Sequence, residues 1–150
     1  MKKLSIDACF SPHLYPVYET ADSIVVIIDI FRATSAICTA FEYGVEKMIP
    51  VATVDEARLW KAKGYLVGAE RDAIPVEGFD FGNSPYSYMG EEVRGKTIVI
   101  TTTNGTQAIE AAKNAHKVVV GSFLNINALC EWLISEKKNI LLLCSKKKNK

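Results

Sequence analysis

The amino-acid sequence predicts an α/β fold: one domain over residues 1–150, built as a three-layer α/β/α arrangement around a largely parallel or mixed sheet. Three observations carry that prediction. Ser23-Ile24-Val25-Val26-Ile27-Ile28-Asp29-Ile30 is a continuous β-branched run, the pattern of a strand covered on both faces. Runs of this kind alternate with helical patterns of about ten residues, which is how parallel strands are connected. Two of the strand patterns close on a carboxylate, Asp29 and Glu70, and in open α/β sheets ligands gather beyond the carboxyl ends of the strands.

Each element has a local cause. A helical pattern begins near Thr34, with Thr34 or Ser35 as its cap, apolar residues through Phe41 and a stop at Gly44. Residues 47–51 read as the next strand. Thr53-Val54-Asp55-Glu56 has the form of a capping box, opening a helix that closes at Gly64. Residues 65–70 form a core strand. Residues 71–85 read as a loop rich in Gly, Pro and acidic side chains, and a loop that long inside a domain points to function. Residues 85–93 read as a short helix. The strand at 96–102 leads through Asn104-Gly105 into a helix ending near Asn114, and strands at 117–121 and 139–144 flank a helix at 125–135.

Composition bounds the function. The chain is 49% hydrophobic and 23% charged with a net charge of +1, an ordinary globular balance with no global attraction to nucleic acid. Its basic cluster, Lys146-Lys147-Lys148 with Lys150, reads as a solvated tail. No stretch approaches the ~20 apolar residues of a membrane span, and Asp7 and Pro12 interrupt any signal-peptide core. The four cysteines form no C-x-x-C pair and only two histidines are present, which argues against a zinc cluster. Cys38 and Cys144 read as buried small hydrophobes in a reducing compartment. The expectation is a cytoplasmic protein with neither a nucleic-acid nor a membrane partner.

Four segments carry chemistry. Thr101-Thr102-Thr103-Asn104-Gly105-Thr106 lies at a strand-to-helix junction, where unpaired N–H groups attract phosphate. The same residues equally suit a plain turn with Thr103 or Asn104 as a cap. In Asp29-Ile30-Phe31-Arg32-Ala33-Thr34, a carboxylate ends a buried strand and needs a cation or donors. Arg32 offers a fork for phosphate or sulfonate oxygens, or simply an ion pair to Asp29. Glu70-Arg71 repeats that arrangement. Gly78-Phe79-Asp80-Phe81-Gly82-Asn83-Ser84-Pro85 reads as a loop folded back on the domain, offering Asp80 and Asn83 inward or using them in Asx turns. Asp29, Glu70, Asp80 and Asn83 together make an oxygen ligand set suited to Mg²⁺. A Cys-x5-Arg loop, an Asp-x-Asp strand end and both common nucleotide-binding glycine motifs are missing from the sequence.

Taken in order, Ile27 to Ser35, Gly68-Ala69-Glu70-Arg71, Gly78 to Pro85, Thr101 to Thr106 and Gly121-Ser122-Phe123-Leu124-Asn125 resemble the 2-phosphosulfolactate phosphatase family. The likeness spans residues 23–145. It implies Mg²⁺-dependent hydrolysis of 2-phospho-3-sulfolactate, or a similar small acidic phosphomonoester, to 3-sulfolactate and phosphate, a step of coenzyme M biosynthesis. It further implies Asp29, Arg32 and Glu70 as catalytic residues and Asp29, Glu70 and Asp80 as metal ligands. Thr34, Asn83, Thr103, Asn104, Gly105 and Thr106 would bind substrate, and homo-oligomer formation stays open. Members of that family continue beyond the segment matching 141–145, so the sequence reads as a shortened member. Two expectations follow: apolar sheet surface left uncovered, and, as the alternative to an active enzyme, an impaired remnant that only binds anions.

Overall fold

The computed structural model describes residues 4–18 and 21–145. The expected basic tail at 146–150 lies outside the described residues. Among the described residues eight strands are seen: β1 (Ile6–Cys9), β2 (Ser23–Ile28), β3 (Lys47–Pro50), β4 (Leu66–Arg71), β5 (Ile74–Pro75), β6 (Thr97–Thr101), β7 (Lys117–Gly121) and β8 (Asn139–Cys144). Four α-helices connect them: α1 (Ala33–Glu42), α2 (Val54–Ala62), α3 (Gly105–Ala111) and α4 (Ile126–Glu136). The α/β class is as expected, and the strands fall into two sheets. The first is fully parallel in the order β1-β8-β2-β7; the second runs β3-β6-β4-β5, parallel except for β5.

Burial explains the layering. In β2, Val25 and Ile27 face α3 and pack with Leu141, Leu143, Ala108 and Ala112. Ile24 and Val26 face the other way, onto Leu129, Trp132 and Leu133 of α4. Complete burial of each such side chain contributes about 1.5–3 kcal/mol, which is why a strand with no polar face is stable here. Helix α1 presents Ala36 and Ala40, one turn apart, to Val93, Ile98 and Tyr88 of the second sheet's side. Helix α2 covers that sheet's far face, with Ala57 against Val51, Val67 and Val99.

Several local expectations are corrected. Strand β1 goes unread in the sequence because three of its four residues are exposed at a sheet edge, so no burial pattern marks it. The loop expected over 71–85 begins as a tight hairpin: Arg71 pairs with Ile74, and Asp72 and Ala73 form its turn at φ of 52° and 67°. Positive φ there usually calls for Gly or Asn, which conceals the hairpin from sequence reading. The helix expected at 85–93 is two 3-10 turns, Pro85–Tyr88 and Glu91–Val93. Thr34 and Ser35 do not cap α1. The Thr34 hydroxyl accepts the Asp29 N–H at 3.1 Å and the Ser35 hydroxyl donates to the Ile30 carbonyl, so both pin the preceding loop. The Thr53 cap is present, with Thr53 accepting from the Glu56 N–H, but the Glu56 side chain reaches past the cap to the Ala52 N–H, so the box is half formed. All four cysteines are free thiols, and no helix among the described residues is long and apolar enough to cross a membrane. Apolar surface does lie open: Ile6 on the edge strand is exposed, and a cavity of about 220 Å³ between the first sheet and α4 is lined by Ile28, Ile30, Phe123, Ile126 and Cys130.

Candidate active site

The carboxyl ends of the two sheets converge on one polar cavity. From the first sheet come Asp29, just after β2, and Ser145, just after β8. From the second come Glu70, near the end of β4, and Thr103 and Asn104, just after β6. Asn83 enters from the segment following β5, and Phe31 and Arg32 form part of the rim. Of the expected site residues the cavity brings together Asp29, Arg32, Glu70, Asn83, Thr103 and Asn104; the strand-end rule points to Asp29, Glu70 and the threonine block.

Asp29 is placed by backbone geometry. Its carbonyl accepts the Thr34 N–H at 3.0 Å, its own N–H goes to Thr34 Oγ1, and its carboxylate faces the Ala33 N–H. Burial pushes its carboxyl group above the usual carboxylate range; the Ser145 hydroxyl and the Ala33 amide oppose this, and the nearby Glu70 charge adds to it. The buried Ser145 hydroxyl faces that carboxylate with geometry short of a full hydrogen bond. Arg32 does not pair with Asp29. Its guanidinium makes no ion pair or hydrogen bond among the described residues, so a half-buried cation lines the cavity without a counter-ion. The internal ion pair left open by the sequence is not formed.

Glu70 has the opposite character. It is only 7% exposed, and its Oε1 accepts the Ala73 N–H at 2.5 Å and the Thr103 hydroxyl at 3.0 Å. Its Oε2 accepts the Thr103 N–H at 3.4 Å, and Thr103 Oγ1 in turn accepts the Asp72 N–H. Arg71 points back into the structure, donating to the Glu70 carbonyl and to Thr101 Oγ1.

Asn83 is 5% exposed, and its Oδ1 is buried with no partner among the described residues. It is held in place by Tyr88, whose hydroxyl donates to the Gly82 carbonyl at 2.9 Å; burial pushes that hydroxyl's pKa far up. A Cβ at Gly68 would collide with the same hydroxyl, so glycine there makes room for the latch.

Other expected site residues lie behind the wall. Thr34 is fully buried and serves Asp29's backbone. Thr106 closes a ring with Thr102: its hydroxyl donates to the Thr102 carbonyl, and its N–H goes to Thr102 Oγ1, the role a cap at Thr103 or Asn104 was expected to fill. The Asn104 side chain makes no capping bond and lines the cavity. Gly105 lets α3 approach Asp29 closely; a Cβ there would collide with Ala33 and stand 3.0 Å from Asp29 Oδ2.

Asp80 departs furthest from expectation. It is not part of the cavity wall: Oδ1 pairs with Lys61 Nζ and Oδ2 accepts the Val67 N–H at 2.8 Å. Burial alone would raise its pKa, but the Lys61 hydrogen bond and charge and the Val67 amide outweigh that and lower it. Among the described residues no group of three or more His, Cys, Asp or Glu side chains could hold a metal. Ser145, Asp72 and Ala73 are cavity residues that the sequence reading missed. Ser145 could have been found by extending the strand-end rule to the strand at 139–144.

Comparison with known proteins settles the family. The 2-phosphosulpholactate phosphatase family model matches residues 9–150. The chain belongs to that family. A probable 2-phosphosulfolactate phosphatase of Thermotoga petrophila is 48% identical over 120 residues, covering 80% of this chain and 52% of the relative. The corresponding proteins of Clostridium tetani and Carboxydothermus hydrogenoformans are 42% and 40% identical over 144 residues, covering 93% and 95% of this chain and 61% and 59% of theirs. The chain thus spans between half and two thirds of the length of these 2-phosphosulfolactate phosphatase relatives.

Proposed function

We propose that this chain carries the catalytic cavity of a Mg²⁺-dependent phosphomonoesterase acting on 2-phospho-3-sulfolactate or a similar small acidic phosphomonoester. One observation carries the reading: a desolvated carboxylate, Asp29, and a guanidinium with no partner among the described residues, Arg32, share a cavity at the carboxyl ends of the strands. In this role Arg32 holds phosphoryl or sulfonate oxygens, helped by the free Asn104 amide. Asp29 orients a water and takes its proton as the water oxygen bonds to phosphorus. The ester P–O bond breaks, and the leaving alkoxide takes up, through solvent, the proton that Asp29 accepted, which restores the carboxylate.

The residues fit a hard cation. Asp29 and the orphaned Asn83 Oδ1 offer oxygen to one cavity, and Mg²⁺ needs only one or two carboxylates because it keeps several waters. Those two residues would hold it, and the bound ion would polarise a phosphoryl oxygen. Asp80, engaged by Lys61, takes no part. Cytoplasmic location and a role in coenzyme M biosynthesis go with this reading.

Asp29→Asn should reduce phosphate release from 2-phosphosulfolactate by at least about 10³-fold, with an unchanged circular dichroism spectrum. Turnover within tenfold of the parent would remove Asp29 from the mechanism. A second reading, anion binding without turnover, is favoured by the lack, among the described residues, of any group of three or more His, Cys, Asp or Glu side chains that could hold a metal, while Arg32 and Asn104 still line the cavity. Phosphate binding to the parent chain without any release from the ester would select it.

A further inference from the structure

We infer that Glu70 is a positioning residue that sets two walls of the cavity, rather than a cation ligand or a base. The argument starts from acceptor capacity. A carboxylate has about four lone-pair directions, and three donors already occupy those of Glu70: the Ala73 N–H, the Thr103 hydroxyl and the Thr103 N–H. All three come from loops that line the cavity. The Ala73 bond holds the β4–β5 hairpin, whose two turn residues both sit at positive φ without being glycine or asparagine. At Ala73 that conformation costs about 1–3 kcal/mol and persists only where its surroundings hold it, while Asp72 tolerates it better.

The Thr103 bonds hold the β6–α3 loop, and Thr103 Oγ1 closes the ring by accepting the Asp72 N–H. One buried side chain therefore ties residues 72–73 to residue 103, thirty residues away in sequence. Asn104 follows Thr103 directly, and its free amide reaches the cavity. Glu70 thus acts on an anion through Thr103 and Asn104.

The test compares Glu70→Gln with Thr103→Val and Thr103→Ser. Gln keeps the size but turns an NH₂ group toward a backbone N–H. Hydrogen exchange of the Thr103 amide should then accelerate by at least about tenfold in Glu70→Gln, and Mn²⁺ affinity, measured on the chain without substrate, should stay within about twofold. Both Glu70→Gln and Thr103→Val should raise KM for the phosphomonoester by about 10–100-fold with kcat within about threefold, and Thr103→Ser should restore it. That kinetic arm rests on the phosphatase reading. In a chain without turnover the same comparison is read on binding of inorganic phosphate, so failure of the reading and failure of this assignment stay distinct. A loss of Mn²⁺ affinity of tenfold or more in Glu70→Gln, with Thr103→Val unaffected, would make Glu70 a ligand and overturn the assignment. A kcat loss of about 100-fold at constant KM in Glu70→Gln would overturn it as well. Should Glu70→Gln not fold, the Val and Ser variants at 103 decide: equal KM values would overturn the role of the Glu70–Thr103 bond.

Discussion

Strands β2 and β4 end alike in sequence and unlike in structure. Each delivers a carboxylate to the same cavity with an arginine just beyond it, Asp29 with Arg32 and Glu70 with Arg71. At β2 both charges stay uncommitted: Asp29 is desolvated without a cation, and Arg32 has no partner among the described residues. At β4 both are tied down, Glu70 by three donors and Arg71 by a carbonyl and a hydroxyl. The difference shows that residue type at a strand end selects candidates, while the donors already facing each group decide its task. A pair that satisfies itself builds the site; a pair left unsatisfied is available to a ligand.

The largest effect should separate the two carboxylates by stability. Glu70→Ala leaves two backbone donors and a hydroxyl unpaired and frees a strained turn, so urea unfolding should show a loss of about 3 kcal/mol. Asp29→Asn should instead match or exceed the parent at neutral pH. The fold raises Asp29's pKa above its ordinary 3.8, so the native state binds that proton more tightly than the unfolded chain. Stability from this group is therefore present below 3.8 and is lost as pH climbs through the raised folded value. The parent should lose ground to Asp29→Asn across that interval, and parallel stability curves there would contradict the assignment of Asp29 as the unsatisfied group.

These differences set the limit of what the sequence shows. The β-branched 23–28 run, the Thr53 box and the alternation of elements are local patterns, and each produced the element it predicted. Strand β1 has one buried residue in four, and the Asp72-Ala73 turn lacks the glycine that would complete a hairpin signal after Asp72, so neither carries a clear local signal. The same holds in the site. Convergence of Asp29, Glu70 and the threonine block followed from strand direction alone. What each group touches did not, because the Glu70–Thr103 bonds cross 33 positions and the Lys61–Asp80 pair crosses 19. Asp80 looks like a ligand until the lysine of α2 is set beside it.

The arginines should split in the same sense with a smaller amplitude. Arg32→Gln removes a charge with no partner among the described residues, so stability should stay within about 0.5 kcal/mol while phosphate affinity falls about tenfold. Arg71→Gln breaks the bond to Thr101 that joins β4 to β6 and the bond to the Glu70 carbonyl within β4, and thermal unfolding should report a loss of about 1–2 kcal/mol. Reversal of the two results would exchange the roles assigned to the strand ends.

The smallest effect belongs to the carboxylate outside the cavity. Asp80→Asn keeps an oxygen for the Val67 N–H and loses only the charge facing Lys61, whose side chain is 38% exposed. A partly solvated pair of this kind contributes roughly 0.5–1 kcal/mol. The sign of its pH dependence is opposite to that of Asp29. The fold lowers the Asp80 pKa below 3.8, so its stabilisation is complete above that value and vanishes as pH falls through the lower folded one. Parent and Asp80→Asn should therefore differ slightly at neutral pH and converge in acid, with phosphate release and Mn²⁺ affinity the same in both. A drop in Mn²⁺ affinity in Asp80→Asn would bring this residue back to the cavity, and the contrast between satisfied and unsatisfied carboxylates would then have to be redrawn with Lys61 as a displaceable partner.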